Sequence, residues 1–358
     1  MIGSMRKETM TPRERWQAVL SGKEPDRVPM DYWATPEAEA GIMKRLGVSD
    51  QWEMFRILHI DRPVTVEPAY VGPALKKGFD YFGVGYTGVS YGKGEYDEPT
   101  FHPLAQYSTI DEIEKGYTWP KHDWFDYSVL PAKLSGKEGY PCEGPFSEPF
   151  YLYKYLRGME QSFMDLASDP PLVHYILEKL YDYEYTRILR TLETIPGRLT
   201  YNLVGEDFGA QSGLMYSMAH IREFFLPRMK KLMALLHQGG VAVMTHSDGS
   251  VREAIPGLIE IGMDILNPVQ WRCAGMEREG LKRDFGARIV FHGAMDNQVT
   301  MPFGSVADVR REVEDNLRIL GANGGYILAP CHNLQSVSPV ENIVAMYETG
   351  YEEGFLTQ

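Results

Sequence analysis

Residues 241–249 read Val-Ala-Val-Met-Thr-His-Ser-Asp-Gly, an apolar run of strand length that ends in polar and small residues. The same pattern recurs four more times along the chain, at 201–207, 264–270, 288–297 and 326–333. Stretches with helical periodicity separate these runs, at 221–237, 251–261 and 306–320. Strands that alternate with helices at this spacing predict an α/β protein with a parallel sheet.

The number of predicted strands points to a closed sheet. Two earlier segments, 27–33 and 61–67, have the composition of strands, and we expect one more near residue 145, which brings the total close to eight. Eight strands with their helices predict a (β/α)8 TIM barrel. An open, doubly wound sheet is the alternative. We favour the barrel because five successive strand ends carry chemically competent residues, whereas an open sheet gathers its site at one switch point.

The rest of the chain fits around this barrel as a single domain, 1–358. A TIM barrel needs about 250 residues, and the surplus matches a segment near 70–120 that is rich in Gly and aromatic residues. We interpret that segment as an extended, hairpin-rich insertion. Thr11, followed by Pro12 and by Glu14, predicts a capped N-terminal helix before the first strand.

Composition excludes several classes of partner. The 358 residues include 36 Lys and Arg against 49 Asp and Glu, so the net charge of −13 argues against nucleic acid or an anionic membrane as partner. Three cysteines in so long a chain are typical of a reducing compartment. No apolar run is long enough to span a membrane, and the polar N-terminus does not resemble a signal peptide. We therefore expect a soluble, cytoplasmic protein.

Familiar catalytic motifs are missing from the sequence. It contains no Gly-x-x-x-x-Gly-Lys-Ser/Thr phosphate loop, no Gly-x-Gly-x-x-Gly after an early strand, and no Gly-x-Ser-x-Gly nucleophile elbow. ATP-driven, NAD-dependent and serine-hydrolase functions are disfavoured accordingly.

The strand ends supply the candidate site, because in a barrel they converge on one mouth. The polar residues there are Glu206, Asp207, His246, Asp248, Asn267, Gln270, His292, Asp296, Asn297, Cys331 and His332. His246 and Asp248 are two residues apart, so in extended backbone both side chains point to one side. Together with Cys331 from the last strand they make an acceptable zinc set, in which Glu206 or substrate would take the fourth position.

Structural roles for the same residues stay open. His246 and Asp248 alone would form a hydrogen-bonded pair, and Cys331 would pack as a small hydrophobe. Glu206 and Asp207, or Asp296, would cap the helices that follow them.

Motifs along nearly the whole chain resemble the uroporphyrinogen decarboxylase superfamily, and within it the branch of cobamide-dependent methyltransferases. They are Thr11-Pro12-Arg13-Glu14-Arg15, Asp26-Arg27-Val28-Pro29, Gly205-Glu206-Asp207-Phe208-Gly209, His246-Ser247-Asp248-Gly249-Ser250, residues 261–270, Gly293-Ala294-Met295-Asp296 and Ala329-Pro330-Cys331-His332. The resemblance implies a (β/α)8 barrel. The decarboxylase itself has an arginine-rich loop after the first strand, whereas the matching residues 31–36 contain no arginine.

Methyltransferases of this superfamily bind zinc through a His-x-Cys pair and a later Cys. Carried over to this chain, His246 and Cys331 match, and Asp248 stands at the middle position. An oxygen ligand in place of a thiolate makes the metal a harder Lewis acid, better suited to polarising the oxygen of a methyl ether or methanol than to activating a thiol.

The resemblance thus implies a zinc-dependent transfer of a methyl group between a small methylated substrate or acceptor and a corrinoid carried by a partner protein, with a homodimer permitted. The expected roles are metal binding by His246, Asp248, Cys331 and Glu206, catalysis by Glu206, Asp207 and His246, and substrate binding by Asn267, Gln270, Asp296 and Tyr70. Tyr70, Phe82, Tyr86 and Tyr91 would line the pocket, form the docking surface for the corrinoid protein, or simply pack the insertion against the barrel.

Two alternatives remain. The first is metal-independent decarboxylation of a carboxylated substrate, in which Asp61 would match the decarboxylase's catalytic aspartate unless it pairs with Arg62. The second is a barrel that only binds a ligand.

Overall fold

The computed structural model describes residues 8–90 and 95–355. Within them the strands, in chain order, are β1 (Val64–Thr65), β2 (Ala69–Tyr70), β3 (Gly85–Ser90), β4 (Glu95–Phe101), β5 (Phe125–Asp126), β6 (Cys142–Glu143), β7 (Tyr201–Leu203), β8 (Ala242–His246), β9 (Ile265–Asn267), β10 (Val290–Met295) and β11 (Tyr326–Pro330). Seven of these strands form one parallel, curled sheet in the order β1-β6-β7-β8-β9-β10-β11. The predicted α/β barrel is confirmed.

The helices surround this sheet. They are α1 (Pro12–Leu20), α2 (Pro36–Leu46), α3 (Gln51–Ile57), α4 (Ile110–Gly116), α5 (Leu130–Leu134), α6 (Pro149–Arg157), α7 (Met159–Ser168), α8 (Pro170–Thr194), α9 (Met218–His220), α10 (Leu226–Gln238), α11 (Ile255–Ile261), α12 (Arg278–Phe285), α13 (Thr300–Phe303), α14 (Val306–Ile319) and α15 (Val340–Glu353). A π-helical turn, Ile221–Phe225, leads into α10. No helix of the described residues combines the length and the apolar character that a membrane span requires.

The eighth position of the barrel is held by the predicted strand 27–33, which forms isolated bridges instead of a regular strand. Met30 bridges in parallel to Leu328 of β11, and on the other side its carbonyl accepts a hydrogen bond from the Asp61 N–H just before β1. Pro29 has no N–H to donate, and the Asp31 carboxylate accepts the N–H of Tyr32. Both features interrupt the ladder while leaving the segment in place between the two edge strands.

Two apolar layers stabilise the barrel. The interior contains a small cluster from the inward faces of the strands, closed at the bottom by Trp16 of α1, whose ring stacks on Tyr201 at 5.0 Å. Thr11 and Glu14 form the predicted capping box at the start of α1. The larger core lies between the strands and the outer helices. The N-terminal helix is therefore the floor of the barrel.

The segment after β1 forms an antiparallel hairpin, β3 with β4, and a short pair, β2 with β5. Tyr96 of the hairpin accepts a hydrogen bond from Gln335 Nε2 in the loop after β11, so the hairpin reaches the rim of the barrel mouth. Tyr70 packs on Tyr81 and donates to the Pro73 carbonyl.

The other aromatics named for the insertion also pack within the fold. Phe82 packs on Tyr183, and Tyr86 on Tyr155. Tyr91 lies outside the described residues. Gly158, whose φ is 90°, separates α6 from α7.

Candidate metal centre

Three side chains from two adjacent strand ends meet at the barrel mouth. Asp207 follows β7, and His246 and Asp248 lie at the end of β8. One potential ligand atom from each of the three lies within 4.8 Å of the other two. His246 Nε2 is 3.8 Å from Asp207 Oδ1, and that same oxygen accepts a hydrogen bond from the Asp248 N–H at 3.0 Å. His246 is buried, and the two aspartates are partly exposed to the mouth.

A glycine allows these two strand ends to touch. A Cβ at Gly205 would stand 2.8 Å from the His246 carbonyl oxygen, 2.9 Å from His246 Cβ and 2.9 Å from Glu148 Oε1. Heavy atoms do not approach a Cβ so closely, so position 205 has to be glycine for this packing. The loop after β7 consequently lies directly against His246.

The ring of His246 is held from several sides. Its Nδ1 lies 2.6 Å from Asn267 Oδ1, at the end of β9. Trp33 and Phe146 flank the ring, with centroid distances of 5.9 and 6.4 Å. Nε2 therefore faces Asp207 and the cavity while Nδ1 faces the protein interior.

Sequence reasoning overlooked Glu148, the carboxylate that lies beside this group. It follows β6 and precedes α6, and its buried Oε1 has no hydrogen-bond partner among the described residues. Burial raises the pKa of Glu148 to about 7. Of the nearby charges, His246 lowers this pKa and Asp207 raises it. A strand had been expected near residue 145, so an inspection of its end for polar residues would have identified Glu148.

The charges of the group are mutually dependent. Burial lowers the pKa of His246, but the carboxylates of Glu148, Asp248 and Asp207 outweigh it, so the net pKa is raised. For Asp248, burial raises the pKa, and the charge of His246 offsets part of this increase. Crowded carboxylates beside an imidazole hold a negative potential that a cation relieves.

Two residues predicted as ligands lie outside the group. Glu206 is buried and accepts hydrogen bonds from the Phe150 N–H at 2.6 Å and from Tyr181 Oη at 3.3 Å, so it caps the start of α6. Cys331 donates from Sγ to the Val269 carbonyl at 3.2 Å, and burial raises the pKa of its thiol well above the ordinary value. The structure brings Asp207 to His246 and Asp248 in place of these two.

The predicted substrate-binding residues occupy different surroundings. Asn267 is buried between two imidazoles, and Gln270 connects the Gly249 N–H to Asp248 Oδ1. Asp296 accepts from Arg272 Nε at 2.6 Å and from three backbone N–H groups at 298–300, which is a helix-capping arrangement. Tyr70 does not line either of the two mouth cavities described next.

Two cavities adjoin at the mouth. The first, about 440 Å³, contains Asp207, His246 and Glu148 with the aromatic walls Trp33 and Phe146. The second, about 240 Å³, is lined by residues that include Gln270, Arg272, Asp296 and Cys331. Asp248, His332 and Asn333 line both. The candidate metal-binding group of Asp207, His246 and Asp248 therefore lies at the boundary between the two cavities.

The donor set fits a divalent cation. It offers two carboxylates and one imidazole nitrogen, and Glu148 Oε1, which has no hydrogen-bond partner among the described residues, lies beside them. Imidazole and carboxylate ligands suit Zn²⁺, Mn²⁺ and Fe²⁺, whereas a thiolate, which would select softer ions, is not part of the described group.

Fold and site together define a TIM-barrel protein with a candidate metal centre at the carboxyl ends of its strands. The chain belongs to the uroporphyrinogen decarboxylase (URO-D) family, whose model matches residues 137–352. No curated protein matches the sequence.

Among solved structures, a methyltransferase from Methanosarcina mazei aligns over 96% of this chain and 99% of its own, with 17% identity and a TM-score of 0.69. This likeness establishes a shared fold. An endo-β-1,4-xylanase from Gloeophyllum trabeum aligns over 64% of this chain and 82% of its own, with 11% identity and a TM-score of 0.41. SrfJ from Salmonella typhimurium aligns over 91% and 74%, with 8% identity and a TM-score of 0.41.

Proposed function

We propose that this protein is a metal-dependent methyltransferase that moves a methyl group between a small substrate, such as a methyl ether or methanol, and a corrinoid carried by a partner protein. The observation that carries the proposal is the Asp207, His246 and Asp248 group, which faces a cavity at the mouth of a URO-D-family barrel. The M. mazei protein is called a methyltransferase and shares the fold along nearly its whole length, which agrees with the proposal.

His246 Nε2, Asp207 and Asp248 would hold the metal, with zinc as the first ion to test. When bound, the metal supplies a Lewis acid that lowers the free energy of negative charge on a substrate heteroatom. Trp33 and Phe146 provide apolar walls beside His246. The cavity opens at the barrel mouth, where the corrinoid protein would dock, and the proposal allows a homodimer.

The charge of the first cavity disfavours the alternative of a decarboxylase for a polyanion. Its lining includes five carboxylates, and among the described lining residues Arg62 is the one arginine. That guanidinium is already 3.3 Å from the Asp31 carboxylate. Asp61 is fully buried and paired with Arg15 and Arg27, not with Arg62, so it lies in an internal ion pair and not in the cavity lining.

The metal content of anaerobically purified protein tests the proposal. We expect about one divalent ion per chain by elemental analysis, lost in His246→Ala and in Asp207→Asn. Cys331→Ser is the matched control: its thiol is bonded to a backbone carbonyl, so the variant should retain the metal. Absence of metal from the wild type, or loss only in Cys331→Ser, contradicts the proposed centre.

The reaction is tested separately. The metal-loaded protein is mixed with reduced corrinoid and a panel of O-, N- and S-methyl compounds, and methylcorrinoid formation is followed by absorbance. Transfer from an O-methyl compound, abolished by His246→Ala, supports the proposal. Failure with the whole panel and in the reverse direction refutes it, and metal-independent CO₂ release from a carboxylated compound would establish the decarboxylase alternative.

A further inference from the structure

A buried chain of side chains leads away from the metal centre to the first barrel segment. His246 Nδ1 lies 2.6 Å from Asn267 Oδ1, and Asn267 Nδ2 lies 2.6 Å from His292 Nδ1. His292 Nε2 lies 3.0 Å from Asp31 Oδ2. Asn267, His292 and Asp31 have no exposed surface. Three hydrogen bonds therefore connect β8, β9 and β10 to the segment that closes the barrel.

The far end of this chain determines its direction. Asp31 receives hydrogen bonds from the Tyr32 N–H at 2.7 Å, from Trp33 Nε1 at 3.1 Å and from Arg62 at 3.3 Å, so it is surrounded by donors and acts as an acceptor. Arg62 and His292 outweigh the effect of burial and lower the pKa of Asp31, which keeps the group ionised.

Each following bond is then assigned in turn. His292 donates from Nε2 to Asp31, so in the neutral ring Nδ1 is an acceptor. The Asn267 amide must turn its NH₂ to that nitrogen and its oxygen to His246. His246 therefore carries its proton on Nδ1 and presents the lone pair of Nε2 to Asp207 and the cavity.

We propose that Asp31, acting through His292 and Asn267, is a positioning residue that fixes the tautomer of His246 for metal binding at Nε2. The inference rests on the metal-binding part of the proposed function. Partners of this kind orient a ligand imidazole and contribute about 10–100-fold to metal affinity. Here the determining carboxylate is two residues removed from the ligand itself.

Asp31→Asn should reverse the chain. The new amide oxygen is expected at the position that meets the Tyr32 N–H and Arg62, because Arg62 is the charged donor; this turns the NH₂ group toward His292 Nε2 and gives up the hydrogen bond from Trp33 Nε1. The neutral His292 ring then carries its proton on Nδ1 and donates to the Asn267 side chain. The Asn267 amide rotates as a result, so that its NH₂ donates to His246 Nδ1. His246 would carry its proton on Nε2, where a metal has to bind.

A second substitution should restore the original direction. In Asp31→Asn/Asn267→Asp, the carboxylate has moved to the middle of the chain and the number of charges is unchanged. A carboxylate at 267 accepts from both imidazoles, so His246 again carries its proton on Nδ1 and regains a free Nε2. Asp165→Asn is the control, because Asp165 is also a buried carboxylate and pairs with Arg157 outside the site.

Two measurements test the proposal. Nitrogen-15 NMR of histidine-labelled, metal-free protein, recorded at a pH high enough for the ring to be neutral, reports the tautomer of His246, identified by the loss of its signals in His246→Ala. Competition with a chelator reports the affinity for Zn²⁺. We expect the Nδ1–H form in the wild type, the Nε2–H form and an affinity about 10–100-fold lower in Asp31→Asn, recovery of both in the double variant, and no change in Asp165→Asn.

The outcomes separate the inference from the proposed function. An Nε2–H tautomer in the wild type overturns the inference even if Asp31→Asn fails to fold. An unchanged tautomer and affinity in Asp31→Asn, or no recovery in the folded double variant, also overturns it. Wild-type protein that binds no Zn²⁺ yet shows the expected tautomers refutes the metal-binding role while the directional chain stands.

Discussion

Gly205→Ala should weaken the candidate metal centre without removing a ligand. The added Cβ would stand 2.8–2.9 Å from the carbonyl oxygen and Cβ of His246 and from Glu148 Oε1. Ordinary contacts begin near 3.4 Å, so these atoms must move by roughly half an ångström, and two of them belong to the strand that carries His246. Overpacking of this kind costs about 1–3 kcal/mol of unfolding free energy. Displacement of His246 relative to Asp207 should lower metal affinity by about tenfold.

The assay is chemical denaturation of the metal-free protein together with Zn²⁺ affinity by chelator competition. Gly213→Ala is the matched control, since it lies in the same loop after β7 and a Cβ there meets no atom within 4 Å. We expect the control to behave as wild type in both measurements. If Gly205→Ala also matches the wild type in stability and affinity, the close packing of the two strand ends does not determine the site.

Three further predictions concern the frame around the site. Trp16→Ala removes the floor of the barrel and should cost about 3–5 kcal/mol in denaturant unfolding. Asp61→Ala removes a fully buried carboxylate that Arg15 and Arg27 share, although Asp26 and Glu8 remain beside them, and should cost about 3 kcal/mol, while the metal content per folded chain stays unchanged. The pKa of Glu8 is lowered to about 2, because hydrogen bonds and ion pairs, including those with Arg27, outweigh burial. The stabilisation of the folded state by ionised Glu8 is thus complete above pH of about 4.5 and is lost as the pH falls toward 2. In Glu8→Gln the free energy of unfolding should fall by about 1 kcal/mol less over this pH range than in the wild type, a value reduced for the partial exposure of Glu8.

Local patterns were sufficient for the elements of the barrel. The apolar runs at 241–244 and 326–328 became β8 and β11, and the periodic stretch at 306–320 became α14. These predictions succeed because strand and helix periodicity reflects burial of one face or both, which neighbouring residues already encode. An exception arose where a single residue breaks the local rule, at Pro29 in the predicted strand 27–33.

The candidate site was predicted in part. His246 and Asp248 lie together as their spacing indicated, and Asp207 joined them. Cys331 instead donates a hydrogen bond to a backbone carbonyl, and Glu206 accepts one from an N–H at the start of α6. A strand-end position shows that a residue is near the mouth, but a difference of a few ångströms, set by packing, decides which ligand atoms converge.

The sequence by itself therefore determined the barrel, the strand ends that carry its chemistry, and the family to which the chain belongs, because these follow from periodicity and from motifs read along the chain. Only the tertiary structure decided that Asp207 lies with His246 and Asp248, that Glu148 Oε1 has no hydrogen-bond partner among the described residues, and that buried hydrogen bonds connect Asp31 to His246 across the barrel. The physical reason is that hydrogen bonds act over about 3 Å. Residues 31, 267 and 292 come within that reach only when the curled sheet places their strands side by side.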